Sequence, residues 1–75
     1  MKELVEYIAK ALVTDPSQVR VEEEEKGDTI ILRLYVAPED MGRVIGRGGR
    51  VANAMRTLLR VAGIRQGKRV TLEIG

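Results

Sequence analysis

Apolar residues recur at helical spacing early in the chain and at every second position further on. From Lys2 to Val13, Leu4, Ile8 and Leu12 repeat every four residues with Val5 and Ala11 beside them, which predicts an amphipathic helix buried along that stripe. Asp15-Pro16 ends it, because proline disfavours helical angles in the residue before it. From Val19 to Glu25 the alternation is partial, with Val19 and Val21 on one side and Arg20, Glu22 and Glu24 on the other. Lys26-Gly27-Asp28 is a turn signal. Thr29 to Val36 then alternates cleanly: Ile30, Leu32, Leu34 and Val36 face one way, Ile31, Arg33 and Tyr35 the other. Two such runs across a short glycine-containing link predict a β-hairpin.

The pattern changes at Ala37. Pro38 suits a first helical position, Glu39 and Asp40 suit the positive end of a helix dipole, and Met41, Val44 and Ile45 fall at helical intervals. Gly46-Arg47-Gly48-Gly49 interrupts this short helix. A second helix follows to about Ala62, with Val51, Met55, Leu58, Leu59 and Ala62 as its buried stripe and Asn53, Arg56 and Arg60 roughly opposite. Gly63 reads as its C-terminal cap and Gln66-Gly67-Lys68 as a turn. Arg69 to Ile74 is a last strand facing inward through Val70, Leu72 and Ile74.

The order is helix, strand, strand, helix, helix, strand. A connection through two helices favours parallel pairing of the second and third strands on a right-handed path. The expected fold class is therefore α+β: a three-stranded mixed sheet with three helices packed on one face, Ile31 and Tyr35 lying on the open face. At 75 residues and 44% apolar composition there is material for one small core and one domain, residues 1–75.

Composition narrows the chemistry. The chain has no cysteine and no histidine, which removes thiol nucleophiles, thiolate metal sites and the commonest general base. No apolar run approaches the 18 or so residues that cross a membrane. The start, Met1-Lys2-Glu3-Leu4, does not read as a signal peptide. These points lead to the expectation of a soluble, cytoplasmic binding module, not an enzyme, with no cofactor, no metal and no membrane partner. The run Glu22 to Glu25 does not make a metal site in a strand, since consecutive carboxylates point to opposite faces; it reads as a solvated edge strand.

Charge is polarised along the chain. Residues 1–40 carry five cations against ten acids, whereas residues 41–75 carry eight cations against Glu73 alone. One basic end is expected, of the kind that attracts polyanions, although arginines that only solubilise a helix would look the same in composition.

The most informative segment is Val44-Ile45-Gly46-Arg47-Gly48-Gly49-Arg50-Val51. Three glycines in four positions make a poor helix but allow a tight turn and close approach of the backbone to a ligand. A helix begins immediately after them, so its free N–H groups and its dipole favour an anion at the corner. Arg43, Arg47 and Arg50 surround the same spot. A simple helix–helix corner needs one glycine and no arginine between glycines. A helix-turn-helix motif would sit in an all-helical bundle. A nucleotide-binding P-loop would need Lys-Ser or Lys-Thr after Gly49, and a dinucleotide fingerprint would need glycine at Val51.

Ile45-Gly46-Arg47-Gly48-Gly49 followed by Arg50-Val51 resembles the I-G-x-x-G signature of KH domains, placed between two helices as in that family. The N-terminal helix and first strand, residues 1–26, look like the type II extension, leaving residues 27–75 as the core with the loop. Val36-Ala37-Pro38-Glu39-Asp40-Met41-Gly42 strengthens the likeness to the small bacterial single-KH proteins of the KhpA type. The resemblance implies binding of single-stranded RNA, with the loop clamping the backbone of about four nucleotides. It implies that Gly46, Arg47, Gly48 and Gly49 contact phosphates and sugars, with Arg43 and Arg50 as adjacent cations. Ile45 either shapes an apolar groove for bases or belongs to the core. Arg56 and Arg60 lie outside this set by periodicity. A low-selectivity RNA-binding protein or RNA chaperone in post-transcriptional regulation is implied, and the alternative is a docking subunit. The family also implies self-association as a homodimer, or a heterodimer with a larger RNA-binding protein of the KhpB type. The lack of Phe and Trp, with only Tyr7 and Tyr35 as aromatics, disfavours sheet platforms that stack bases on aromatic rings.

Overall fold

The protein is described over residues 1–75 by a computed structural model. Helix α1 (Lys2–Leu12) is followed by strands β1 (Arg20–Lys26) and β2 (Thr29–Tyr35), helix α2 (Met41–Ile45), helix α3 (Arg50–Arg65) and strand β3 (Arg69–Ile74). The sheet has the order β1-β2-β3. β1 and β2 are antiparallel in the register Arg20↔Tyr35 through Lys26↔Thr29. β2 and β3 are parallel from Thr29↔Arg69 to Leu34↔Ile74. The mixed α+β architecture and the strand partners are thus those expected from the order of elements.

Period-two alternation decides the core. Ile30, Leu32 and Leu34 are buried on the inner face of the central strand, with Val21 and Leu72 from its neighbours. They meet Val5 and Ala9 of α1, Val44 of α2, and Met55 and Leu59 of α3 in one cluster. Removing a side chain such as Leu32 would cost roughly 2–5 kcal/mol, since a void is left as well as lost transfer energy. The outer face is held by charge: Arg33 on β2 lies 3.1 Å from Glu24 on β1 and 3.1 Å from Glu73 on β3. Arg20 stacks 4.3 Å from the centre of the Tyr35 ring, and the Tyr35 hydroxyl donates to Glu22 at 3.2 Å. Glu22 and Glu24 of the acid run are thus engaged across strands at the sheet edge, and Glu25 pairs with Lys68.

Both long helices are rotated from their predicted faces. On α1 the buried residues are Val5 and Ala9, flanked by Ile8, and Leu4 is exposed. On α3 they are Ala52, Met55, Leu59 and Gly63, and Leu58 is 51% exposed. The reason is tertiary fit. Val5 and Ala9 of α1 and Met55 and Leu59 of α3 fill the cluster over the sheet, and Gly63 lets the end of α3 come close to the chain entering β3. A Cβ on Gly63 would stand 2.6 Å from the Lys68 carbonyl oxygen and 2.7 Å from Val70 Cγ2.

Gly63 is therefore inside the helix and not its cap. α3 continues to Arg65, and Gly67, at φ +68°, takes the left-handed position after it. The Lys68 N–H donates to Gly63 O at 2.8 Å and the Gly67 N–H to Ile64 O at 3.1 Å, the pair of bonds that defines a Schellman ending. Two short 3₁₀ turns, Pro16–Gln18 and Pro38–Asp40, each start on a proline. Pro38 thus opens a 3₁₀ turn that runs into α2. No helix is long and apolar enough to cross a membrane.

Candidate nucleic-acid interface

The glycine corner joins α2 to α3 at the surface. Gly46 leaves α2 at φ +78°, ψ 169°, and its N–H donates to Gly42 O at 2.9 Å. Any side chain there would collide with Val51, whose Cγ2 would lie 2.6 Å and amide nitrogen 2.8 Å from the new Cβ. Arg47–Gly49 forms one 3₁₀ turn, closed by the Gly49 N–H on Gly46 O at 3.1 Å and the Arg50 N–H on Arg47 O. Within it Gly48 is left-handed (φ 63°, ψ 17°), with nothing within 4 Å of where a Cβ would stand. A helical residue followed by a left-handed one turns successive N–H groups toward one point and makes an anion-binding concavity. The bonds that close the corner use neither the Arg47 nor the Gly48 amide. Both are left for an external acceptor.

The side chains around this point are largely free. Arg47, Gly48 and Arg50 are exposed. Ile45, 37% exposed, stands at the surface beside the turn, while Val44 below it fills the core. Arg43 extends into solvent with its Nε 3.6 Å from Asp40 Oδ1. Asp40 is only 1% exposed and accepts hydrogen bonds from the segment that follows α1. The Thr14 amide is the main reason its carboxyl sits below the usual carboxylate range; burial opposes this and is outweighed. The negative charge next to the corner is thus already engaged inside the fold.

The polarity of the sequence becomes a surface pattern. Lys10, Arg20, Lys26, Arg33 and Lys68 each pair with a glutamate. Arg47, Arg50, Arg56, Arg60, Arg65 and Arg69 pair with no carboxylate. These six run from the corner along α3 to the start of β3. Arg56 and Arg60, set aside by periodicity as a far face, occupy the flank of α3 next to β3. Arg56 shows this directly, donating from Nη2 and Nε to Leu72 O at 3.1 and 3.3 Å. Helical spacing locates a side chain around the axis, but the neighbouring strand that makes this flank a groove appears only on folding.

A family model described as KhpA/KhpB, KH domain, matches residues 2–74. The chain is 54% identical over 74 residues, 99% of each chain, to the RNA-binding protein KhpA of Clostridium perfringens. It is 54% identical over 74 residues to that of Caldanaerobacter subterraneus subsp. tengcongensis, with 99% of each chain covered. Against that of Aquifex aeolicus it is 47% identical over 74 residues, 99% of this chain and 94% of the relative. No solved structure is significantly similar to the chain. With a type II arrangement around an I-G-x-x-G corner and a match over nearly its whole length, this chain belongs to the KhpA/KhpB family of KH domains.

Proposed function

We propose that this protein binds single-stranded RNA, without catalysis, by seating the sugar–phosphate backbone on the corner at Gly46–Gly49. The observation that carries this reading is the exposed left-handed turn at Gly48, with its open amides, between the guanidinium groups of Arg47 and Arg50, which pair with no carboxylate. Arg43 adds charge and Ile45 an apolar edge on which a base can rest. The relatives bear the name RNA-binding protein KhpA, in keeping with this assignment. Backbone contacts carry little sequence information, so selectivity should be low and the role that of a general RNA-binding protein or RNA chaperone. The aromatics offer no stacking platform: Tyr35 is engaged by Arg20 and Glu22 on the opposite face of the sheet, and Tyr7 stands alone on α1.

The test is the double substitution Arg47→Asp with Gly48→Asp, read by fluorescence anisotropy on a labelled oligouridylate. Asp tolerates left-handed angles better than most residues, so the fold should survive. Loss of binding is expected from a variant that still melts cooperatively, with its thermal midpoint lowered by a few degrees for the left-handed angle at Gly48. Unchanged affinity would refute the assignment.

A second reading is a subunit that docks onto another protein, a second copy or a larger RNA-binding protein of the KhpB type. Leu58, Val61 and Ile64 favour it, being 51%, 50% and 71% exposed on one side of α3. Sedimentation with and without RNA separates the two. A stable dimer indifferent to RNA, and lost in Val61→Asp, would support docking.

A further inference from the structure

The one hollow on the surface is not at the corner. It lies at the opposite end of α3, has a volume of about 310 Å³, and is lined by Arg60, Ile64, Lys68, Arg69 and Val70. We propose that this hollow is a second phosphate site, so that the bound strand extends from the glycine corner along the β3 flank of α3 to Arg60 and Arg69. This rests on the RNA reading above and adds a length requirement to it.

Charge is the first argument. Lys68 is committed within the fold: its Nζ lies 2.7 Å from Glu25 Oε2 and donates to Gly27 O at 3.2 Å. It thereby neutralises the one carboxylate tied to the hollow. Arg60 and Arg69 have no carboxylate partner, so two guanidinium groups are left to face an external anion. Their fork geometry matches phosphate oxygens. Ile64 and Val70 supply an apolar wall against which a ribose or base can lie.

Position is the second. Cations near a helix C-terminus often do no more than complement the dipole. Arg65, in the last turn, is placed for that. Arg60 is more than a turn earlier, and Arg69 belongs to β3, where its N–H is fixed on Asp28 O at 2.8 Å and it pairs with Thr29. Neither is explained by the helix end.

Continuity is the third. Arg50, Asn53, Arg56 and Arg60 follow one another at three- and four-residue steps and share one flank of α3. At 1.5 Å per residue, Arg50 and Ile64 are separated by about 21 Å along the axis. The loop alone clamps about four nucleotides. A strand that fills the hollow as well must be longer.

The experiment compares oligouridylates of about 4 and about 12 nucleotides, the shorter matching the loop's own reach. Each is titrated by anisotropy into the wild type and into Arg60→Gln with Arg69→Gln; both side chains are at the surface, and an unchanged thermal midpoint verifies the fold. The double variant should lose about tenfold in affinity for the longer strand and nothing for the shorter. Its log–log salt slope on the longer strand should fall by about 1.4, two contacts at roughly 0.7 each. If the shorter strand binds and the longer one binds the variant as tightly as the wild type, the second site is refuted while the corner assignment stands. Equal weakening on both lengths also refutes it, since Arg60 and Arg69 then act as diffuse charge. Failure of the wild type to bind either strand removes both proposals.

Discussion

Thr14 donates both its amide, at 3.0 Å, and its hydroxyl, at 2.8 Å, to Oδ1 of Asp40, twenty-six positions further along the chain. The Asp15 amide donates to the other oxygen at 3.2 Å. One buried carboxylate thus pins the end of α1 to the start of α2, the element that delivers the glycine corner. Arg43 reaches the same carboxylate from the outside, so this contact links the fold to the basic surface.

Replacing Asp40 by Asn should lower the thermal midpoint by several degrees at neutral pH. The wild-type carboxyl is held below its ordinary value of 3.8, chiefly by the Thr14 amide. A depressed folded value means the extra stability is complete above about pH 3.8 and is lost as the pH falls through the lower folded value. The gap between wild type and variant should therefore close in acid. Thermal melts followed by circular dichroism from neutral pH downward check this, and a gap that stays constant would show that proton linkage plays no part.

The glycines of the corner should differ in what they tolerate. Gly46→Ala places a methyl group into Val51 and should cost roughly 1–3 kcal/mol through overpacking, with the left-handed angle adding to it. Gly48→Ala meets open space and should cost only the conformational term, about 1–2 kcal/mol. Urea unfolding ranks the two, and equal costs would contradict the described contact.

At the other end of α3, Gly63→Ala should be the more damaging of two similar changes. Its methyl would press on the Lys68 carbonyl and Val70, a backbone contact that cannot swing away, for about 1–3 kcal/mol. Gly67→Ala has room and should cost about 1 kcal/mol for its left-handed angle. The comparison of urea midpoints would be reversed if Gly63 were the helix cap.

Binding of a short RNA to the corner should weaken with salt. For roughly 2–4 neutralised phosphates the slope of log affinity against log salt should lie near −1.5 to −3. Titrations at several potassium chloride concentrations measure it. A slope near zero would exclude backbone contacts as the source of affinity.

What could be read along the chain was what depends on near neighbours. Period-two alternation in Thr29–Tyr35 announced the central strand, Lys26-Gly27-Asp28 its hairpin, and the crowding of glycine between two helical patterns the corner at 46–49. Each is a local matter of sterics and spacing, so no distant partner was needed to see it. The rotation of α1 and α3, the true place of Gly63, the partner of Asp40 and the groove beside Arg56 and Arg60 were not legible in this way. Both long helices carry apolar residues over more than one face, and periodicity cannot choose among them. The choice falls to the tertiary fit: Val5 and Ala9 on α1 and Met55 and Leu59 on α3 fill the cluster over the sheet, and Gly63 lies where a side chain would meet Lys68 and Val70, so close packing and not local spacing decides which face turns inward.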